Sequence, residues 1–202
     1  MSAVSQALQF YEQPLNERMR AFLRLEHLFR GIEAQIGSAD KWASRGALEG
    51  IIELTALLTR AEIKSELIKE LERNAQTLEA LAKDPRVDGT ALTDTLDDIR
   101  TILTALRMQD GAFGHELRNN DLVNTVRQRT SIPAGTCDFD VPMLHYWLSK
   151  GDSERESDLR RWFASFTLIR EAVELSLSLV RRSASATLEQ AQTGFFQKTL
   201  DP

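Results

Sequence analysis

The chain carries a single cysteine among its 202 residues. One thiol cannot close an internal disulfide, so packing alone has to hold the fold, and a reducing compartment is its natural setting. No apolar run approaches the ~18 residues that a membrane-spanning helix needs. The opening residues, Met1 to Phe10, have neither a basic stretch nor a signal-peptide core, so the expected location is cytoplasmic with no membrane partner. Cations are also in deficit: 25 Lys and Arg face 30 Asp and Glu, a net charge of −5. That balance argues against a general nucleic-acid binder, which carries an excess of basic residues. Glycine-rich phosphate loops, Gly-x-Ser-x-Gly and His-Glu-x-x-His are all missing, as is any repeat at a fixed period. No catalytic group, metal or cofactor is therefore expected, and a binding or structural protein is favoured over an enzyme.

What is present is amphipathic helix. Hydrophobic residues make up 42% and charged residues 27% of a chain long enough to bury a full core. Met19, Phe22, Leu25, Phe29, Ile32 and Ile36 recur at helical spacing from Leu15 onward, with Glu17, Arg20, Arg24 and His27 on the opposite side. Asp40 is placed to cap a second helix running to Arg60. A third spans 62–83 and is broken by Asp84-Pro85. A fourth begins at Thr90 with Leu92, Leu96, Ile99, Leu103 and Leu106 spaced by three or four. Asn120 or Asp121 starts a shorter helix through Val126. Asp140 has N-cap chemistry ahead of a helix over 143–148, with Pro142 in its first turn. Ser153 or Ser157 opens one last long helix through Val180, where Arg181-Arg182 suit the negative end of the dipole. The pattern predicts a mainly α protein, a bundle of about seven helices. A short strand near Leu8 to Tyr11, ended by Pro14, has no identifiable partner in the chain.

Between the fifth and sixth helices lies the one long irregular turn, 131–140, holding Pro133, Gly135 and Cys137. Irregular segments between rigid elements are where binding residues concentrate. Asp138, Asp140, Cys137 and His145 match no standard metal-ligand spacing. Asp138 and Asp140 are expected to pair with Arg127 or Arg129, or to cap. Cys137 beside His145 is the one place where an enzyme is conceivable, and an enzyme using that region is kept as the alternative. Tyr146, Trp147, Trp162, Phe163 and Phe166 read as core. Phe195-Phe196, in a Ser/Thr/Gln-rich tail, is expected to dock back on the bundle or to meet a partner. The arginines are the remaining chemistry. Singly each is a surface cation; several converging would form a basic groove for an acidic peptide, because the planar guanidinium holds carboxylates bidentately.

Four segments carry a family likeness. They are Pro14-Leu15-Asn16-Glu17-Arg18-Met19-Arg20 followed by Leu23-Arg24-Leu25-Glu26; Arg60 with Glu62 and Glu66 to Arg73; Val126-Arg127-Gln128-Arg129, Ser131-Ile132-Pro133, Phe139-Asp140, Leu144-His145 and Trp147-Leu148; and Gly194-Phe195-Phe196-Gln197. In these the chain resembles the ZapD family, bacterial cell-division proteins that associate with the tubulin-like GTPase FtsZ. The resemblance implies a homodimer that bundles FtsZ filaments at the division septum by gripping the GTPase's C-terminal tail, promoting Z-ring assembly. It also implies an α-helical domain over 15–183 and a small β-domain mostly absent from this chain, with 1–14 supplying its N-terminal strand and 184–202 leading toward it. Arg20, Arg60 and His145 carry over as candidate contacts to FtsZ, with Arg24, Arg127 and Arg129 beside them. Asn119, Asn120 and Asp121 stand where more basic character would be expected.

Overall fold

The computed structural model describes residues 10–60, 62–82, 87–189, 191 and 193–199, with the side chain of Arg60 excepted. Eight α-helices and one 3-10 helix occur among the described residues: α1 Glu17–Gln35, α2 Lys41–Arg60, α3 Ile63–Leu81, α4 Gly89–Met108, a 3-10 turn His115–Asn119, α5 Asp121–Arg129, α6 Pro142–Ser149, α7 Asp152–Ala164 and α8 Thr167–Ser183. The mainly α expectation holds.

Local chemistry sets most of the boundaries. Asn16 caps α1 by accepting from the Met19 amide at 2.9 Å, and Asp40 accepts from the Ala43 amide at 3.2 Å at the head of α2. Asp88 caps α4 through the amides of Thr90 and Ala91, and Asn120 caps α5 through Val123. The cap expected at Asp140 is not formed: Val141 is the N-cap of α6 and no side chain accepts there, while Pro142 does open the helix. The last long helix is two. Ser165 and Phe166 interrupt it, with Phe166 at φ −107°, ψ 2° and its ring fully buried. Turning the chain there lets α7 pack on α2 while α8 crosses back over α1, α3 and α4. The apolar spacing runs through the break, so periodicity alone reads one helix.

The core lies around α8. Ile169, Ala172, Val173, Ser176 and Leu177 are buried against α1, α3 and α4. The inward face of α1 (Phe22, Leu25, Phe29, Ile32) is buried as its spacing predicts. Each such side chain contributes on the order of 1.5–3 kcal/mol by leaving water. Gly46 and Gly50 let α2 approach α1 closely: a Cβ on Gly50 would sit 2.7 Å from Cγ1 of Ile32. Ion pairs stitch the rim of the bundle. Arg18 reaches from the start of α1 to Glu66 (2.6 Å) and to the buried Glu70 (2.9 Å) of α3. Trp147, Trp162 and Phe166 are core as expected, but Tyr146 is exposed, as are Phe195 and Phe196, which do not bury themselves on the bundle.

Of the strand expected over 8–11, Leu8 and Gln9 lie outside the described residues, and Phe10 and Tyr11 have no regular structure. Phe195 makes a single β-bridge. The break expected at Asp84-Pro85 also lies outside the described residues.

Candidate functional site: two arginine-lined grooves on α2

Helix α2 carries a groove on each side of its C-terminal half. The first, about 650 Å³, lies between α1 and α2, with Arg20, Leu23, Arg24 and His27 on one wall and Glu53, Ala56 and Leu57 on the other. Glu12 and Pro14, from the segment leading into α1, form its lip. The second, about 420 Å³, lies between α2, the 3-10 turn and α5. Ile52, Ala56, Leu117 and Val123 give it an apolar floor, and among the described residues Arg118 and Arg127 are the charged ones that line it. Ala56 borders both grooves, so they meet over one small side chain. Arg60, the last residue of α2, follows Ala56 by one helical turn.

Most arginines of this chain are already engaged with carboxylates. Arg18, Arg30, Arg45, Arg73, Arg100, Arg107, Arg160, Arg161, Arg170 and Arg181 all hold one. The groove arginines differ. Among the described residues, Arg118 reaches only the Thr59 hydroxyl at 3.5 Å, and Arg127 only the Asn124 side-chain oxygen at 3.3 Å. Arg24 has no ion pair among the described residues. Arg20 holds Glu17, one turn away, in an exposed surface pair. Such pairs are worth roughly 0–1 kcal/mol and exchange readily for a better partner. Guanidiniums left without carboxylates around a partly apolar floor suit an acidic chain carrying one or two apolar side chains.

Two carboxylates, Glu12 and Glu53, also line the first groove, and Glu12 is gripped from outside it. Arg181, in the last turn of α8, donates to both of its oxygens (2.5 and 2.7 Å) and to both oxygens of Glu26 (each 2.7 Å). Arg30 adds a bond to Glu26 at 2.8 Å. The Arg181 hydrogen bonds keep both carboxyls below their ordinary range, against the opposing pull of burial.

The expected residues thus divide. Arg20 and Arg24 share the first groove, and Arg127 lines the second. Arg129, two residues on and therefore on another face of α5, lines neither. The side chain of Arg60 lies outside the described residues. His145 lines neither groove: its Nδ1 stands 3.1 Å from Asp138 Oδ2, with both side chains exposed. The arginine partner expected for Asp138 is therefore His145 instead. The turn 131–140 is fastened to α2 by Arg45, which bonds Thr136. Cys137 donates its thiol hydrogen to the Ala134 carbonyl. The sequence reading missed Arg118, because the 3-10 turn that presents it follows two glycines and shows no helical period. His27, on the same face as Arg20 and Arg24, was legible but left out of the binding set.

Residues 23–202 match ZapD, described as a cell division protein. The chain belongs to the ZapD family. It is similar to the cell division protein ZapD of Methylococcus capsulatus, 40% identical over 191 residues that cover 95% of this chain and 75% of that protein. The ZapD proteins of Azoarcus sp. BH72 and Nitrosomonas eutropha are each 37% identical, covering 94% and 93% of this chain and 76% and 75% of theirs. The match takes in α2, the 3-10 turn and α5 whole, so both grooves fall largely within the part shared with cell division proteins of this family. None of the helices is long and apolar enough to cross a membrane among the described residues.

Proposed function

We propose that this ZapD-family chain is a cytoplasmic, non-enzymatic crosslinker of FtsZ filaments, which holds the acidic C-terminal tail of FtsZ in the grooves flanking α2. The observation that carries the reading is the set of guanidiniums, Arg24, Arg118 and Arg127, that face those grooves without a carboxylate partner among the described residues. Crosslinking requires two grips. A twofold homodimer supplies two identical ones, and many weak grips along a polymer add up to firm attachment. The division into a helical body over 15–183, with 1–14 and 184–202 belonging to a separate small β-domain, is part of the proposal. It is supported by the limits of α1 and α8; the Glu12–Arg181 pair fastens the N-terminal segment to the end of the helical body.

Co-sedimentation with FtsZ polymers at low salt tests the reading. The wild-type chain is expected to increase the pelleted bundles, and raised salt to reduce them. Arg24→Glu and Arg127→Glu should each weaken bundling about tenfold or more, the loss of one charge-assisted contact, while helicity by circular dichroism is unchanged. If the wild type bundles nothing, or both reversals bundle normally, the groove assignment is wrong.

A further inference from the structure

A carboxylate on the lip of an arginine-lined groove is an internal rival to any acidic ligand. Glu12 is such a group: together with Arg20, Arg24, His27 and a second carboxylate, Glu53, fixed on the α2 wall, it lines the first groove. Left to itself it would be tethered beside Arg24, whose guanidinium has no ion pair among the described residues, at the millimolar effective concentration typical of short tethers. It is instead turned to Arg181, which grips it bidentately while gripping Glu26 with the same guanidinium. Two arginines, Arg181 and Arg30, and two glutamates, Glu12 and Glu26, form a neutral cluster behind the lip. Removing Arg181 leaves that cluster with an excess negative charge, and the more exposed of its two carboxylates is the one on the groove. Pro14, two residues on, stiffens the segment, so Glu12 has only a short pivot between the two alternatives.

We propose that Arg181 is a positioning residue that sequesters Glu12, keeping a built-in competitor out of the groove that receives the acidic peptide. The inference rests on the groove reading given above. Arg181 lines no part of the groove, so its effect runs entirely through Glu12. A purely structural Arg181 would act regardless of the charge at position 12.

The test measures anisotropy of a fluorescein-labelled FtsZ C-terminal tail peptide against the full chain, for the wild type, Arg181→Ala, Glu12→Gln and the double variant, with thermal melts in parallel. Arg181→Ala should weaken binding about tenfold, and Glu12→Gln alone should tighten it about twofold. The double variant should return to within about threefold of wild type, yet melt as low as Arg181→Ala, because in both Glu26 has lost Arg181 and keeps only Arg30. Recovered binding without recovered stability is the signature of sequestration. A double variant that binds as weakly as Arg181→Ala, or an Arg181→Ala chain that binds like wild type, overturns this inference and leaves the groove reading standing. A wild-type chain that does not bind the peptide overturns both. Arg181→Lys, which keeps the charge but cannot span two carboxylates, is carried alongside with the same order of outcomes in weaker form. It decides the question if the alanine variant does not fold.

Discussion

Replacing Gly114 by alanine should be among the most damaging single-methyl additions in this chain. Gly114 precedes the 3-10 turn that carries Leu117 and Arg118, and it sits at φ +68°, in the left-handed region. An L-residue there pays roughly 1–2 kcal/mol for the conformation alone. A Cβ would also lie 2.6 Å from Cζ and 2.7 Å from Cε1 of Phe166, whose ring is fully buried. Overpacking of that kind costs about 1–3 kcal/mol, because neither the ring nor the backbone has free space to move into. Together the two come to about 2–5 kcal/mol, a fall in melting temperature on the order of 10 °C for a chain of this size. Gly111→Ala separates the two contributions. Its φ is +80°, but nothing lies within 4 Å of the added Cβ, so it should show only the backbone cost. Urea unfolding of the two variants is the assay. If they lose equal stability to within about 0.5 kcal/mol, the clash with Phe166 is not real. Phe166→Leu added to Gly114→Ala should recover part of the difference.

Two further outcomes follow from buried and paired charge. Arg155 is 2% exposed and bonds the Ser44 hydroxyl, the Ala39 carbonyl (2.9 Å) and the Lys150 carbonyl, tying α7 to the start of α2. Arg155→Lys keeps the charge but cannot reach three acceptors at once, so it should destabilise by about 2 kcal/mol or more in urea titration, and a loss under about 0.5 kcal/mol would refute the role. The carboxyls of Glu12 and Glu26 are depressed below the ordinary 4.5 by Arg181. A depressed folded pKa stabilises the fold fully above the unfolded value and is lost as pH falls through the folded one. Urea midpoints should therefore drop below about pH 4.5, and Arg181→Ala should flatten that drop; an unchanged acid limb would show that the pair does not contribute.

The helical body was legible because its apolar positions recur without conflict. The stripe of α1 and the Leu92 to Leu106 stripe of α4 are both buried as spaced. The cap at Asp40 and the helix start at Asn120 read true because short polar side chains before an apolar run have few other uses, and the cap at Asn16 follows the same rule. The break at Ser165-Phe166 was not legible, since a buried aromatic keeps the helical period on both sides of it. For the grooves, sequence supplied the cations but not their pairing. Arg20 and Arg24 on one face of α1 follow from spacing. That Arg127 faces a groove while Arg129 does not depends on where α5 lies against α2, and His145's choice of Asp138 depends on the course of an irregular turn. Arg181 shows the same limit: spacing placed it at a helix end, whereas its partners lie 155 and 169 residues away.

Because α8 nests among α1, α3 and α4, the bundle is completed only once the last of the described helices has left the ribosome. Until then Phe22, Leu25 and the inner rows of α3 and α4 lack one of their walls. At a synthesis rate of roughly 5–20 residues per second, that interval lasts on the order of ten seconds. Growing chains of this protein are thus obliged clients for whatever shields apolar surface during translation. A frameshift or stop ahead of Thr167 would yield a sticky polypeptide rather than a smaller working domain.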